Sequence, residues 1–302
     1  PWDVYNLNWL PSEKINPDIF VTFGDRYEML AATISAYILK IPIVHIAGGE
    51  KTSGSLDEGF RHSITKLSNL HFPTSNKYRK RIIQLGENTK TVFNFGSLNR
   101  QKIANTKFFS KTEFQNEFKM KLLKKNILMT FHPEKTSIRE NLHNLKLVLN
   151  CLDNLKDTKI IITAPNADAG GVAMIKLIKN FIKKRENFTL VKNLGTKGYL
   201  SLLKYIDGVI GNSSSGISEV PLFSTTSINL GDRQKGRDKP SSVISCKFKK
   251  KDILKNLRKL KRRNTSLKIN KNDKFVSKKI IKKIISFNFK KNNNKEFQDL
   301  RF

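Results

Sequence analysis

The fold of this chain is constrained most by an alternation of short apolar runs with longer amphipathic segments. The run "PDIFVTFGD" (17–25) is typical of a buried strand, "RYEMLAATISAYILK" (26–40) has apolar residues at helical spacing, and "IPIVHIA" (41–47) is the next predicted strand. A second series starts at "KKNILMTFHPE" (124–134) and runs to "TTSINLGDRQ" (225–234). Strands separated by helices of ten or more residues predict βαβ units and parallel sheets.

Two such series, separated near residue 120, predict two doubly wound, Rossmann-like α/β domains with a cleft between them. We place the first domain at 1–120 and the second at 121–262, followed by a Lys/Asn-rich tail at 263–302 that is able to form a terminal helix. Within the two series we also predict a strand over 89–97 ("TKTVFNFGS") and a helix near 216–223.

Charge and composition restrict the class of protein. Lys and Arg number 57 against 25 Asp and Glu, for a net charge of +32, which alone would suggest a nucleic-acid or membrane partner. Lys outweighs Arg, and no aromatic residues interleave with the basic C-terminal stretch. We therefore expect the charge to reflect a mutational bias toward Lys and Asn on solvated faces, with neither nucleic acid nor a membrane as partner. No apolar run reaches the ~18 residues of a membrane helix and no signal peptide is visible. With only Cys151 and Cys246, a reducing cytoplasm is the expected location.

Polar residues follow nearly every predicted strand, where open α/β sheets bind their ligands. These strand-end groups are Gly24-Asp25-Arg26, His45 with Gly48-Gly49-Glu50, His132-Pro133, Pro165-Asn166 with Asp168, "GNSSSG" (211–216) and "GDRQKGR" (231–237). One such group is usually a loop cap, but six on the same predicted edges indicate a ligand-binding cleft.

The last two groups form a candidate anion site. "GNSSSG" joins a strand to a helix, so its amide groups and Ser213, Ser214 and Ser215 can meet a phosphate, although Ser before a helix is also a common N-cap. Arg233 and Arg237 follow the next strand as a clamp for a diphosphate, unless that loop is simply solvated. The segment is neither a P-loop nor a nucleophile elbow.

The acids of the first series are candidates for acid–base chemistry. Asp25, Glu50 and Asp57 would lie at the mouth of one sheet, although Asp57 and Glu58 also suit the first turn of a helix. His132, before Pro133, is either structural or catalytic. We find no metal-ligand pattern and no dinucleotide fingerprint, and therefore expect no metal and no cofactor.

The motifs together resemble the hydrolysing UDP-N-acetylglucosamine 2-epimerase family, which supplies sugars for sialic- and legionaminic-acid-type biosynthesis. The resemblance rests on "GDRYEMLAA", "IPIVHIAGGEKTSGSLDEGFRHSITKLSNLHF", "HPE", "PNADAGG" and "GNSSSGISEVPLFSTTSINLGDRQKGR". It implies a glycosyltransferase-B type fold, a UDP-sugar substrate bound mainly by residues ~120–260, and a homo-oligomer. Because the chain does not begin with Met and lacks the family's first strand, we expect at least one N-terminal βαβ unit (~30 residues) to be missing.

The resemblance also implies site residues. Ser213 and Ser214, with Ser215 and Gly216, correspond to the phosphate contacts, Glu219 to the ribose contact and Arg233 to the diphosphate contact. Asp25 and Asp57 match family acids, and His132 matches a histidine near the leaving group. Arg61, His62, Asn166 and Asp168 are expected on the sugar side. Ala47 replaces an acid that some members carry, and that role would fall to Glu50, Asp57 or Asp25.

Three rival functions stay open on the sequence. A glycosyltransferase of the same fold would need an acceptor, a non-catalytic sugar-nucleotide binder would release no product, and a nucleic-acid-binding protein has charge but no motif in its favour. The sequence does not distinguish UDP-N-acetylglucosamine from a UDP-diacetamido-dideoxy sugar.

Overall fold

The structure is a computed structural model that describes residues 16–52, 57–134, 137–165, 170–261, 267–290 and 295–299. The chain divides into two compact units, the first made of Pro1–Ala104 with Asn270–Phe302 and the second of Asn105–Ile269. The sequence placed these boundaries at 120 and 262 instead.

The described elements largely alternate strand and helix as the sequence predicts, with exceptions that include the successive helices between 76 and 117 and the successive strands between 226 and 246. In the first part of the chain they are β1 (Phe20–Phe23), α1 (Tyr27–Ile38), β2 (Ile43–Ile46), α2 (Asp57–Leu67), β3 (Leu70–Phe72), α3 (Asn76–Gln84), α4 (Leu98–Asn105) and α5 (Lys111–Glu117). They continue with β4 (Lys125–Thr130), α6 (Ile138–Asp153), β5 (Thr158–Thr163), α7 (Gly171–Ile182), β6 (Phe188–Val191), α8 (Gly195–Leu202), β7 (Gly208–Gly211), α9 (Ser215–Ser218), β8 (Thr226–Leu230), β9 (Val243–Cys246), α10 (Lys250–Leu257) and α11 (Val276–Ser286). None of the helices among these described residues is long and apolar enough to cross a bilayer.

The first unit contains a parallel sheet with the strand order β1-β2-β3 among its described residues. Its core joins Val44, Leu70 and Phe72 of the strands to Val276 and Ile280 of α11. The predicted terminal helix is therefore confirmed as a helix, but it completes the core of the first unit instead of forming a separate tail. Amphipathicity predicts a helix of this kind without indicating which sheet its apolar face covers.

The predicted strand over 89–97 is wrong. Residues Thr89–Thr91 form a 3₁₀ turn, and a single bridge between His71 and Val92 is the only ladder contact described for this segment. The rings of Phe93 and Phe95 lie 6.4 and 5.7 Å from the ring of Phe72. The alternating apolar residues thus pack on the core through their rings, which buries the same surface without extending the sheet.

The second unit contains a six-stranded parallel sheet, in the order β6-β5-β4-β7-β8-β9, among its described residues. Its core lies between this sheet and helices that include α6, α7 and α10. Residues 105–120 belong here because α5 brings Phe114 to 6.3 Å from the ring of Tyr205. The Tyr205 hydroxyl also donates to the carbonyl of Phe109 over 2.7 Å. These contacts explain why the boundary lies before α5.

A buried ionic cluster holds the end of the chain to the first unit. The Glu87 carboxylate is 2% exposed and lies 2.7 Å from Lys66 Nζ and 2.7 Å from Lys295 Nζ. His71 Nε2 lies 3.1 Å from the same carboxylate. Burial opposes the charge on Glu87, but the hydrogen bond and charge of His71 together with Lys295 lower its pKa to about 2.

Lys295 also caps the C-terminal end of α2. Its ammonium donates to the carbonyl oxygens of Thr65, Lys66 and Ser68 at 3.2, 2.6 and 2.7 Å. The Thr65 carbonyl also accepts from the Ser68 amide over 3.2 Å, and a positive charge at this helix end is favoured by the helix dipole. Burial lowers the pKa of Lys295 to about 8, although Glu87 opposes this shift.

We expect Glu87→Gln to reduce the free energy of unfolding at pH 7. We also expect the free energy of unfolding to fall less steeply with decreasing pH in this variant than in the parent. Because the folded pKa lies below the ordinary 4.5, the carboxylate contributes fully above pH 4.5 and its contribution is lost as pH falls toward 2. That contribution is on the order of 3 kcal/mol. Urea unfolding between pH 7 and pH 3 measures it, with the exposed Glu117→Gln as the control. An equally steep acid dependence in Glu87→Gln and the parent would contradict this account.

Candidate functional site

The second unit has a topological switch point between β4 and β7. From β4 the chain builds β5 and β6 on one side of the sheet and β7, β8 and β9 on the other. Ligands of open α/β sheets bind at the carboxyl ends of strands at such a point. Here those ends are followed by His132 and by the segment Asn212–Ser215, so the predicted strand-end groups come together in the second unit.

The two strands approach closely where they end. Gly211 has φ +149°, and a Cβ at this position would lie 1.8 Å from the carbonyl oxygen of Thr130. Only glycine fits there. The Asn212 amide then donates to the same Thr130 oxygen over 3.1 Å, and the main chain of His132 pairs with the Asn212 side chain. His132, 8% exposed, is therefore fixed at the switch point.

The predicted helix near 216–223 is interrupted. It consists of α9, which is four residues long, followed by a 3₁₀ turn at Val220–Phe223 with a proline in its first two positions. Pro221 has no amide proton to continue an α-helical ladder. Because α9 is so short, its dipole adds little, and any anion must be held mainly by individual amide and hydroxyl groups.

The serine segment supplies such groups. The amides of Ser213 and Ser214 have no acceptor in the part of the chain that is described, and both residues are half-buried. Ser214 precedes α9 without a side-chain capping bond, so the N-cap alternative does not account for its hydroxyl. Ser215 instead pairs with the hydroxyl of Tyr199. Burial, with the nearby charge of Glu219, raises the pKa of that tyrosine.

The loop after β8 places Arg233 beside the serine segment. Its Nη1 donates to the carbonyl oxygen of Asn212 over 3.2 Å, and Gln234 Nε2 donates to the same oxygen over 3.0 Å. Arg233 is exposed and Arg237 half-exposed, so both remain open to solvent. Ser213, Ser214 and Arg233 thus lie at one edge of the second unit's sheet, and their assignment to a diphosphate stays a prediction.

The first unit gathers its charged residues around Arg61, which is 1% exposed. Arg61 Nε donates to Asp25 over 2.9 Å, and Nη2 donates to Asp25 and, over 3.0 Å, to Thr52. Nη1 donates to the Glu50 carbonyl and to the Glu58 carboxylate at 3.0 and 3.1 Å. All five N–H donors of this guanidinium are therefore engaged within the protein. This geometry favours a positioning role over the sugar contact predicted for Arg61.

Glu58 is a member of this cluster that the sequence reasoning assigned only to a helix start. Besides Arg61, it accepts from the amide of Thr52 and lies 3.2 Å from His62 Nε2. Burial opposes its charge, but the Thr52 and His62 bonds and the Arg61 charge lower its pKa overall. The Glu-x-x-Arg spacing on α2 is the signal that could have indicated the pair. Asp57, the first residue of α2, adjoins it.

His45 has a structural role beneath the cluster. It is fully buried, with Nε2 3.0 Å from the carbonyl oxygen of Gly24 and Nδ1 3.1 Å from the Thr65 hydroxyl. Burial lowers its pKa to about 3, so the ring is neutral at neutral pH and Nε2–H donates to Gly24. This bond fixes the residue immediately before Asp25. Ala47 stands at the position of a family acid, and its backbone N–H donates to the carbonyl oxygen of Phe72 over 3.0 Å.

Two predicted residues, Asn166 and Asp168, lie outside the described residues. Within the described ranges, no group of three or more His, Cys, Asp or Glu side chains is arranged to hold a metal ion.

The parallel sheets and their strand-end groups define a two-domain Rossmann-like α/β protein of the glycosyltransferase-B type. The chain belongs to the UDP-N-acetylglucosamine 2-epimerase family, whose family model matches residues 11–287.

Similar proteins agree with this assignment. The chain is 43% identical over 237 residues to the GDP/UDP-N,N'-diacetylbacillosamine 2-epimerase (hydrolyzing) of Campylobacter jejuni, covering 78% of this chain and 62% of that protein. It is 37% identical over 261 residues to polysialic acid biosynthesis protein P7 of Escherichia coli, covering 86% and 64%. The chain thus spans less than two thirds of the length of these relatives. The crystal structure of UDP-GlcNAc 2-epimerase from Neisseria meningitidis bound to UDP-GlcNAc shares the fold, with a TM-score of 0.76, 17% identity and coverage of 92% and 78%.

Proposed function

We propose that this protein is a hydrolysing 2-epimerase that converts a UDP-amino sugar and water into UDP and the free 2-epimer. The observation that carries the proposal is the edge of the second unit, where the Ser213 and Ser214 amides and the exposed Arg233 surround one strand end. Cations and N–H donors in that arrangement suit a diphosphate leaving group. Family membership supports the same conclusion.

The reaction needs a diphosphate to leave and a proton to move. Cleavage of the anomeric C–O bond releases UDP, and removal of the C2 proton leaves an unsaturated glycal. Water then adds hydroxyl to C1 while a proton reaches the opposite face of C2. We assign His132 and Arg233 to the leaving group, Glu219 to the ribose, and Asp25, Glu50 and Asp57 to proton transfer. None of these steps requires a redox cofactor.

The cluster around Arg61 gives this assignment a physical basis. A carboxylate held by a buried guanidinium is fixed in orientation, as a group that transfers a proton at one carbon atom requires. Asp25 is held in this way by two donors of Arg61. Glu58 and His62 extend the cluster along α2, and we add Glu58 to the proposed proton-transfer groups.

The relatives favour a diacetamido-dideoxy sugar as the substrate. The relative at 43% identity is named for N,N'-diacetylbacillosamine and that at 37% for polysialic acid biosynthesis. We therefore propose UDP-N,N'-diacetylbacillosamine first and UDP-N-acetylglucosamine second, in the synthesis of nonulosonic acids. A cytoplasmic location and a homo-oligomeric state stay predictions.

Product analysis tests the proposed function. The protein is incubated with each UDP-sugar, and with the GDP form of the first, and the products are identified by NMR. Release of nucleotide and a free 2-epimer supports the hydrolysing epimerase. Turnover only with an added acceptor would support a glycosyltransferase, and binding without turnover would support a sugar-nucleotide binder.

Replacing Arg233 by alanine should weaken UDP binding by about 1.5–3 kcal/mol, the usual value of a charge-assisted hydrogen bond. Isothermal calorimetry at fixed ionic strength measures the change. Lys235→Ala is a matched control, because it removes one exposed cation from the same loop. Unchanged affinity in Arg233→Ala, or equal losses in both variants, would move the diphosphate site elsewhere.

A further inference from the structure

The hydrogen bonds of Asn212 join the ends of three neighbouring strands. Asn212 is fully buried. Its Oδ1 accepts from the His132 amide over 2.7 Å, and its Nδ2 donates to the His132 carbonyl over 2.8 Å. This two-point pairing imitates a backbone ladder and continues the contact between β4 and β7 beyond Thr130 and Gly211, where their register ends.

The second proton of Nδ2 reaches Glu134. The distance from Nδ2 to Glu134 Oε1 is 3.2 Å, and the backbone amide of Arg233 donates to the same carboxylate. A Cβ on Gly231 would lie 2.5 Å from Glu134 Oε1, so glycine is what lets the loop after β8 approach. Glu134 therefore fixes the start of the arginine loop.

The main chain of Asn212 completes the network. Its carbonyl accepts from Arg233 Nη1 and Gln234 Nε2, and its amide donates to Thr130. Both protons of Nδ2, the side-chain oxygen, the carbonyl and the amide of Asn212 are thus all engaged. An aspartate would have nearly the same shape but no Nδ2 protons, and its charge would face the Glu134 carboxylate.

We infer that Asn212 and Glu134 are positioning residues that hold His132 and Arg233 in one arrangement, so that diphosphate binding and assistance to the leaving group depend on each other. This inference rests on the proposed function. Neither residue needs to touch the substrate. Asn212 fixes the backbone of the histidine and one end of the Arg233 side chain, while Glu134 fixes the backbone of Arg233.

N212D tests the inference by changing donors into acceptors. At about pH 8, we expect UDP affinity to fall about 10- to 100-fold, as for loss of hydrogen bonds to charged groups. On acidification to about pH 5.5 one of the two facing carboxyl groups takes up a proton and can donate again. The affinity relative to the parent should therefore recover about tenfold or more. Among the described residues, Asp232 and Arg233 are the other charged groups that act on Glu134, and His132 is joined to it through Asn212.

N212D/E134Q and N229D are the comparison variants. The double variant has only one carboxyl group at this point. Its UDP affinity relative to the parent should therefore change little between about pH 8 and about pH 5.5. Asn229 is a buried asparagine of β8 whose side-chain atoms have no partner in the described part of the chain. N229D should therefore lower stability without a pH-dependent change in UDP affinity.

Calorimetry with UDP, and kcat and KM with the UDP-sugar, decide the outcome. Parent-like affinity in N212D, or a loss that is equal at both pH values, would overturn the inference. If N212D does not fold, N212S decides, since we expect an affinity loss of about tenfold or more without recovery in acid. Parent-like affinity in N212S would overturn the inference. A parent protein that does not bind UDP would instead refute the proposed function.

Discussion

Arg61→Leu should lower the free energy of unfolding by about 3–5 kcal/mol, the usual effect of breaking a buried ion pair by removing one partner. The guanidinium is 1% exposed and is bonded to Asp25, Glu58, Thr52 and the carbonyl of Glu50. Without it, the partly buried carboxylates of Asp25 and Glu58 lose their guanidinium partner. A loss of this size is a large share of the 5–15 kcal/mol that stabilises a typical domain.

Urea unfolding of Arg61→Leu against Arg26→Leu measures the effect. Arg26 pairs with Glu28, but its side chain is 72% exposed, so solvent screens the pair and its removal should change the free energy of unfolding little. Arg61→Lys should retain only part of the stability. The ammonium keeps the positive charge but cannot reproduce the five-donor geometry of the guanidinium. If Arg61→Leu and Arg26→Leu lose equal stability, the buried cluster does not have the importance that we assign to it.

The second large effect concerns turnover. Asp25→Asn, Asp57→Asn and His132→Ala should each lower kcat by ~10²-fold or more, the range of lost acid–base assistance. Asp57→Asn is the most direct of the three, since Asp25 also pairs with Arg61 and His132 lies in the Asn212 network.

Stability and nucleotide binding must be measured beside kcat for these variants. Asp57→Asn should bind UDP like the parent, because nucleotide binding is assigned to the second unit. Glu28, a half-buried residue that pairs with Arg26, supplies the control Glu28→Gln, for which we expect parent-like turnover. Parent-like kcat in Asp57→Asn would remove that residue from the proposed chemistry.

Sequence periodicity predicted the two parallel sheets because each buried strand reads as a short apolar run with a polar residue at its end. It could not predict that α11 completes the first unit, since Val276 and Ile280 meet Val44 and Leu70 only through a contact across most of the chain. The segment 89–97 was predicted as a strand because ring packing and ladder pairing bury the same alternating residues.

The candidate site shows the same division. Ser213, Ser214 and Arg233 are visible in sequence because they stand in glycine-bounded loops that directly follow two predicted strands, where open α/β sheets bind ligands. Arg61 and Asn212 are not visible in this way. An arginine is exposed by default, and its burial here depends on Asp25, 36 residues away. The role of Asn212 depends on His132, 80 residues away.

Hydrolysis of the UDP-sugar in deuterium oxide tests the central claim most directly. The C2 hydrogen is poorly acidic, so its loss should accompany the departure of UDP and give a glycal, and the proton that later reaches C2 must come from solvent. NMR of the product should therefore show UDP together with a free 2-epimer that carries deuterium at C2. A released sugar that keeps its original hydrogen at C2 would contradict the elimination mechanism and favour a transferase.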